Sequence, residues 1–163
     1  MKKIGMFFGT ETGTTRLVAK KIFRKLGEDI ADAPINVNRI APEDMLGYDA
    51  LILGTPSYGN EELPGRGAGC EESNWEEFFA RFDKMGTPDF SGTRIALFGL
   101  GAQERYAERF CGSLMRLYER FHGWGAEIVG DDWSAEGYTF THSAAVNIGQ
   151  AIAVADQTDA QSV

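Results

Sequence analysis

The sequence predicts a doubly wound α/β fold built on a parallel sheet, and two observations carry that expectation. Short apolar runs ending at a glycine recur along the chain, and helix-patterned stretches separate several of them. Runs without polar alternation suit strands covered on both faces, the condition of strands in a parallel sheet. Strand and helix alternating along one chain build βαβ units.

The first strand is expected at residues 4–9 (IGMFFG). A helix is expected at residues 14–26, where Leu17, Val18, Ile22, Phe23 and Leu26 recur at helical spacing and Gly27 offers a stop. A weaker strand lies at 35–38. Residues 50–54 (ALILG) and 95–99 (IALFG) repeat the form of the first strand, with helices at 75–82 and 107–122, the latter closed by Gly123. Residues 151–155 (AIAVA) make a last strand, with 127–129 as an earlier piece that can pair with it. The loop from Thr55 to Asn74 is 20 residues long and rich in glycine and glutamate. Such a loop inside a compact fold is normally functional or mobile.

A chain of 163 residues suffices for one ordinary domain, expected here over 1–163. With 43% apolar and 25% charged residues it can bury a core. The net charge of −8 argues against nucleic acid as a partner. No apolar run is long enough to span a bilayer, and the basic start turns directly into strand pattern without a signal-peptide cleavage site. Cys70 and Cys111 form neither a C-x-x-C motif nor a disulfide framework. A cytoplasmic protein, without a membrane or nucleic-acid partner, is the expectation. Residues 1–40 carry a balance of +4 and residues 41–163 one of −12, with six glutamates against Arg66 between Glu61 and Glu77. That run is either a solvated face or an acidic collar that steers a basic partner. Cys70, in this polar loop, is expected to be an exposed thiol. His122 is expected to complement a helix C-terminus, and two histidines without paired spacing suggest no metal site.

Ligands of an open parallel sheet bind beyond the carboxyl ends of its strands, where strand order reverses. After the first strand, Gly9-Thr10-Glu11-Thr12-Gly13-Thr14-Thr15 runs directly into a helix. Threonine hydroxyls, backbone N–H groups and a helix N-terminus converge there, which suits a phosphate held by neutral donors. The motif is neither a P-loop nor G-x-G-x-x-G, and a Thr-rich N-cap without a ligand is the alternative. The loops Gly54-Thr55-Pro56-Ser57-Tyr58-Gly59-Asn60 and Gly99-Leu100-Gly101-Ala102-Gln103-Glu104-Arg105-Tyr106 each bring a tyrosine to the same end of the sheet. Two aromatic faces above a phosphate cradle suit a flat heterocycle carrying a phosphate.

These three loops, in this order, resemble those of the flavodoxins, which bind flavin mononucleotide (FMN). The resemblance runs from Lys3 to about Ser162 and includes T-x-T-G-x-T as Thr10-Glu11-Thr12-Gly13-Thr14 with Thr15 following. It is nearest to long-chain flavodoxins of the kind associated with electron delivery to nitrogenase. The features behind that match are residues 52–56 (ILGTP), 62–65 (ELPG), 75–78 (WEEF), 96–101 (ALFGLG) and 133–140 (WSAEGYTF), the last similar to the insertion that interrupts the final strand.

The resemblance implies a five-stranded sheet of order 2-1-3-4-5. It also implies a final amphipathic helix that would begin where the sequence ends, at Gln161-Ser162-Val163, so that helix is expected to be missing. Thr10, Glu11, Thr12, Gly13, Thr14 and Thr15 would wrap the phosphate. Thr55, Pro56 and Ser57 would line the ribityl chain, with Tyr58 on the inner and Tyr106 on the outer face of the ring. Backbone groups of Gly99, Leu100, Gly101, Ala102 and Gln103 would bond its pyrimidine end. Tyr58-Gly59-Asn60 would lie beside flavin N5, where a peptide flip at Gly59–Asn60 stabilises the neutral semiquinone. Aromatic cover and nearby negative charge would disfavour the anionic hydroquinone, which makes a low-potential donor. Two residues depart from the family pattern: Ala102 stands where an aspartate is usual, and Tyr58 where tryptophan or leucine is common. The implied function is one-electron transport without catalysis, between a reductase and a low-potential protein acceptor such as nitrogenase, by a monomer. The alternatives are an FMN-dependent oxidoreductase acting on a small molecule such as a quinone, and a related module that no longer binds flavin. A receiver-type signalling domain would need an aspartate where Thr55 stands and an acidic pair where Thr10-Glu11 stands.

Overall fold

A computed structural model of the chain describes residues 2–56, 63–101, 112–129 and 154–156. Its sheet is parallel throughout. Strands β1 (Gly5–Phe8), β2 (Ile35–Asn36), β3 (Ala50–Pro56), β4 (Arg94–Gly101) and β5 (Glu127–Val129) lie in the order β2-β1-β3-β4-β5. This is the expected order, and the reversal falls between β1 and β3. The fifth position is divided. Strand β5 pairs with Arg94–Ala96 of β4, and β6 (Val154–Asp156) pairs with Gly99–Gly101 of the same strand. Because β3 occupies the other edge of β4 over Arg94–Leu100, both pieces share one edge. The segment between them, with 133–140, lies outside the described residues, as does everything after Asp156.

Strand alternation sorts the apolar side chains onto two faces. Leu51, Leu53, Ile95 and Leu97 point into the larger core with helices α3 (Trp75–Met85) and α4 (Gly112–Gly123). Phe8, Phe98 and Leu100, with Ile52, meet Val18, Ala19 and Ile22 of helix α1 (Thr14–Leu26) on the opposite face. Both faces are covered, so the strands read as unbroken apolar runs. The larger core is aromatic: Trp75 stacks on Phe79 at 5.6 Å, and Phe90 on Trp124 at 5.9 Å.

Helix α1 has the expected bounds because a glycine in the left-handed region stands at one end and Gly27 closes the other, its N–H donating to Phe23 O at 2.8 Å. Helix α3 runs past the expected residue 82 to Met85, since no stop precedes Gly86. Helix α4 is described from Gly112, so residues 107–111 of the expected helix are outside the described set. The second strand is shorter than expected. The Asn36 side chain accepts the Asn38 N–H at 3.1 Å and turns Val37–Arg39 into a 3₁₀ helix. A one-turn helix α2 (Glu43–Leu46) was not foreseen. Strand β3 takes the first two residues of the expected long loop, Thr55 and Pro56, and a 3₁₀ turn at Arg66–Ala68 gives that loop structure of its own.

Candidate functional site

The carboxyl ends of β1, β3 and β4 are bound together before any loop leaves them. Gly9 donates its N–H to the Gly54 carbonyl at 3.0 Å, and the indole Nε1 of Trp75 donates to the same oxygen at 2.9 Å. Thr55 and Pro56 pair in register with Gly99 and Leu100. The three loops singled out in the sequence therefore start from neighbouring points at the place where strand order reverses.

The first loop turns tightly. Gly13 N–H donates to Thr10 Oγ1 at 3.0 Å, and Thr12 and Thr14 hydroxyls lie 3.2 Å apart. Gly13 has φ of 92°, a left-handed conformation that a side chain disfavours, and it stands at the helix N-cap without a side-chain cap. The first intrahelical bond is Leu17 N–H to the Gly13 carbonyl at 3.1 Å. The N–H groups of the turn before it are the ones an anion can use.

That N-terminus opens on a cavity of about 310 Å³, walled by Thr10, Glu11, Thr12 and Gly13 on one side and by Asn36, Glu71 and Glu72 on the other. Arg16, in the first turn of α1, completes the wall. Thr14 and Thr15 do not line it, and Thr15 is buried, so their part is confined to the helix start behind the loop. The Glu11 side chain accepts the Glu71 N–H at 3.3 Å, pinning the first loop to the long one. Thr55 is also buried, its hydroxyl donating to the Pro56 carbonyl at 2.9 Å. Leu100 is a core residue, so only its backbone can serve a ligand. Gly99 and Gly101 continue β4 and pair with β6. Ser57, Tyr58, Gly59, Asn60, Ala102, Gln103 and Tyr106 lie outside the described residues, as do Glu104, Arg105 and Cys111.

Among the described residues of the acidic stretch, Glu72, Glu76 and Glu77 are fastened by hydrogen bonds. Glu77 accepts the Arg66 N–H at 3.1 Å and the Asn74 N–H at 3.2 Å, and Glu76 accepts the Gly67 N–H at 3.0 Å. Glu72 accepts the Asn38 side-chain amide at 3.2 Å. Two of these acids thus hold the loop to the start of α3. Cys70 is buried, contrary to expectation, because the loop folds back and its N–H donates to the Gly65 carbonyl at 2.9 Å. Burial, with the nearby Glu11 and Glu77 carboxylates adding to it, pushes its thiol up to about 11. His122 does stand in the last turn of α4, its ring stacked on Tyr118 at 5.3 Å.

Three residues of this region were not singled out in the sequence. Arg16 was recoverable, since it follows Gly13 by three residues and so begins the same helical turn. Asn74 carries a local signal, N-x-x-E ahead of an apolar run, which forms a capping box with Glu77. Its further bond, side-chain Nδ2 to the Thr10 carbonyl at 3.1 Å, had none. Asn36 reaches the cavity only through the fold.

Fold and loop together define a doubly wound α/β protein with an uncapped helix start opening on a threonine-lined cavity at its switch point. The flavodoxin family model matches residues 6–161. A flavodoxin of Klebsiella pneumoniae is 44% identical over 146 residues, covering 90% of this chain and 80% of that protein. A flavodoxin of Synechocystis is 34% identical over 161 residues, 99% of this chain and 88% of the relative. Among solved structures, Fusobacterium nucleatum flavodoxin bound to flavin mononucleotide superposes with a TM-score of 0.79 at 29% identity, covering 98% of this chain and 87% of that one. The chain belongs to the flavodoxin family.

Proposed function

We propose that this chain binds FMN at the carboxyl ends of β1, β3 and β4 and works as a low-potential one-electron carrier in the cytoplasm. One observation supports this most directly: the uncapped start of α1, turned by left-handed Gly13, opens on a cavity walled by threonines. The donor set fits a phosphate ester, offering hydroxyls of Thr10 and Thr12 with the amides of the first helical turn. Thr55, Pro56 and Ser57 would follow the ribityl chain, and backbone groups from Gly99 to Gln103 would meet the pyrimidine end. Tyr58 and Tyr106 would cover the ring faces, with Gly59 and Asn60 at its N5 edge.

FMN supplies the redox chemistry when bound; the protein supplies binding, exclusion of water and the local field. Flavodoxins are electron-transfer proteins rather than enzymes. No helix among the described residues is long and apolar enough to cross a membrane. The partners we propose are a reductase that loads the carrier and a low-potential protein acceptor, with nitrogenase as the acceptor to test first. Each would dock on the monomer through a small, salt-sensitive interface beside the acidic loop.

The test is a visible spectrum of the purified protein followed by stepwise anaerobic reduction. Yellow protein that passes through a separate one-electron stage and resists full reduction supports the carrier. Protein that takes up no added FMN refutes the site, and reduction in a single two-electron step refutes the carrier.

A further inference from the structure

We infer that the outer face of helix α1 is a docking surface for an acidic patch on a partner protein, built from Leu17, Lys20, Lys21, Arg24 and Lys25. The helix contains no acidic residue. Val18 and Ala19 are buried against the sheet, while Leu17 and Arg24, seven positions apart, share the side turned to solvent. Leu17 is 46% exposed, and Lys20, Arg24 and Lys25 around it are exposed as well. Among the described residues no carboxylate forms an ion pair with Lys20, Arg24 or Lys25. That includes Glu28 and Asp29, which are exposed just past Gly27.

The helix itself gains little from this arrangement. Lys20 and Arg24, and Lys21 and Lys25, stand four positions apart, where like charges repel across one helical turn. The helix dipole accounts for cations in the last turn, Arg24 and Lys25, but not for Lys20 and Lys21 before it. An acidic surface supplies the counter-charge that no described residue gives to Lys20, Arg24 or Lys25, and Leu17 becomes the apolar contact inside a charged rim. The stripe from Leu17 to Lys25 is about 12 Å long, little more than a Debye length at physiological salt. The chain as a whole carries a charge of −8. A compact acidic patch can therefore meet the stripe alone, whereas a polynucleotide or an anionic bilayer extends over the acidic remainder and is repelled. This face is opposite in sign to the acidic loop, so the two suit different partners.

The experiment titrates the full isotope-labelled chain with a helical peptide that carries glutamates around one leucine, and follows backbone amide shifts by NMR. The shifts should map to α1, and affinity should fall at least about tenfold between about 20 mM and about 300 mM salt. Lys20→Glu should weaken binding about tenfold and Leu17→Ala about three- to tenfold. Lys20→Glu should at the same time raise Tm by about 1–4 °C, because a glutamate there faces Arg24 four positions on. A lower Tm in Lys20→Glu means that the cation serves the fold, and overturns the docking role. Shifts that map away from α1, or an affinity unchanged in either variant, overturn it too. Stronger shifts of the same amides with duplex DNA, with vesicles of phosphatidylcholine and phosphatidylserine, or with rising concentration of the chain alone overturn the acidic protein as partner. They put a nucleic acid, a lipid surface or a second copy in its place.

Discussion

The side-chain amide of Asn74 joins the start of α3 to the loop after β1: its Nδ2 donates to the Thr10 carbonyl at 3.1 Å while its Oδ1 accepts the Trp75 N–H at 2.9 Å. One residue, 64 positions away in sequence, therefore sets where Thr10 sits. Gly9 must be glycine for the same reason, since a Cβ there would run into the Asn74 and Trp75 side chains.

Two substitutions at Asn74 should separate its roles. Asn74→Ala removes the cap and leaves the buried end of the loop without its donor, lowering stability by about 1–2 kcal/mol in urea unfolding. Asn74→Asp keeps an oxygen for the helix start but turns a carboxylate oxygen toward the Thr10 carbonyl. FMN affinity should then fall while most of the cap stability survives. Unaltered FMN affinity in Asn74→Asp would show that the Thr10 contact does not shape the site.

Gly13→Ala tests the turn itself. No atom lies within 4 Å of a Cβ built there, so crowding contributes nothing and the cost comes from the backbone at φ of 92°. Holding alanine in the left-handed region should cost about 1–2 kcal/mol. A chain that relaxes instead re-aims the first-turn amides, and FMN binding weakens. Wild-type stability together with wild-type affinity would mean that the left-handed turn is not needed.

Tyr48 should make stability fall at alkaline pH. Its hydroxyl donates to Asp32 Oδ2 at 2.7 Å, and burial together with that carboxylate pushes the phenol up to about 12. The raised value means that the fold favours the protonated phenol. Its contribution is complete below the unfolded value near 10 and is lost as pH rises through about 12. Urea midpoints at the two ends of that window should differ, and Tyr48→Phe should flatten the difference. An equal slope in Tyr48→Phe would assign the alkaline loss to other groups.

Cys70 should resist thiol reagents. With its thiol raised to about 11 and its side chain buried, little thiolate exists at pH values near 8. In a Cys111→Ser background, labelling by a disulfide reagent should be slow until denaturant is added. Rapid labelling of the folded protein would mean that the loop over Cys70 opens readily.

Much of this fold was legible because local and tertiary preferences agree. Phe7 and Phe8, or Leu51 to Leu53, read as strand because both faces of the sheet are covered, so no polar residue breaks the run. Helix α1 was readable at both ends because Gly13 and Gly27 adopt positive φ, a property of glycine itself. The Asn36 turn was hidden because a strand residue can also bond its own backbone, and only the fold decides between the two. Cys70 misled for a similar reason: its neighbours are polar in sequence, whereas its cover comes from a fold-back onto Gly65. Arg16 and Asn36 line one cavity from different elements, and no local pattern encodes that convergence.

The divided edge beside β4 bears on the order in which the protein can be completed. The half of β4 at Arg94–Ala96 finds its partner in Glu127–Val129, on the far side of helix α4. The half at the carboxyl end of the strand, Gly99–Gly101, waits for Val154–Asp156. On a ribosome the first pairing becomes available while the second partner is still unsynthesised, and in refolding the second must close the longer loop. The base of the sheet can therefore harden first, with the rim at the carboxyl end of β4 the last part to set.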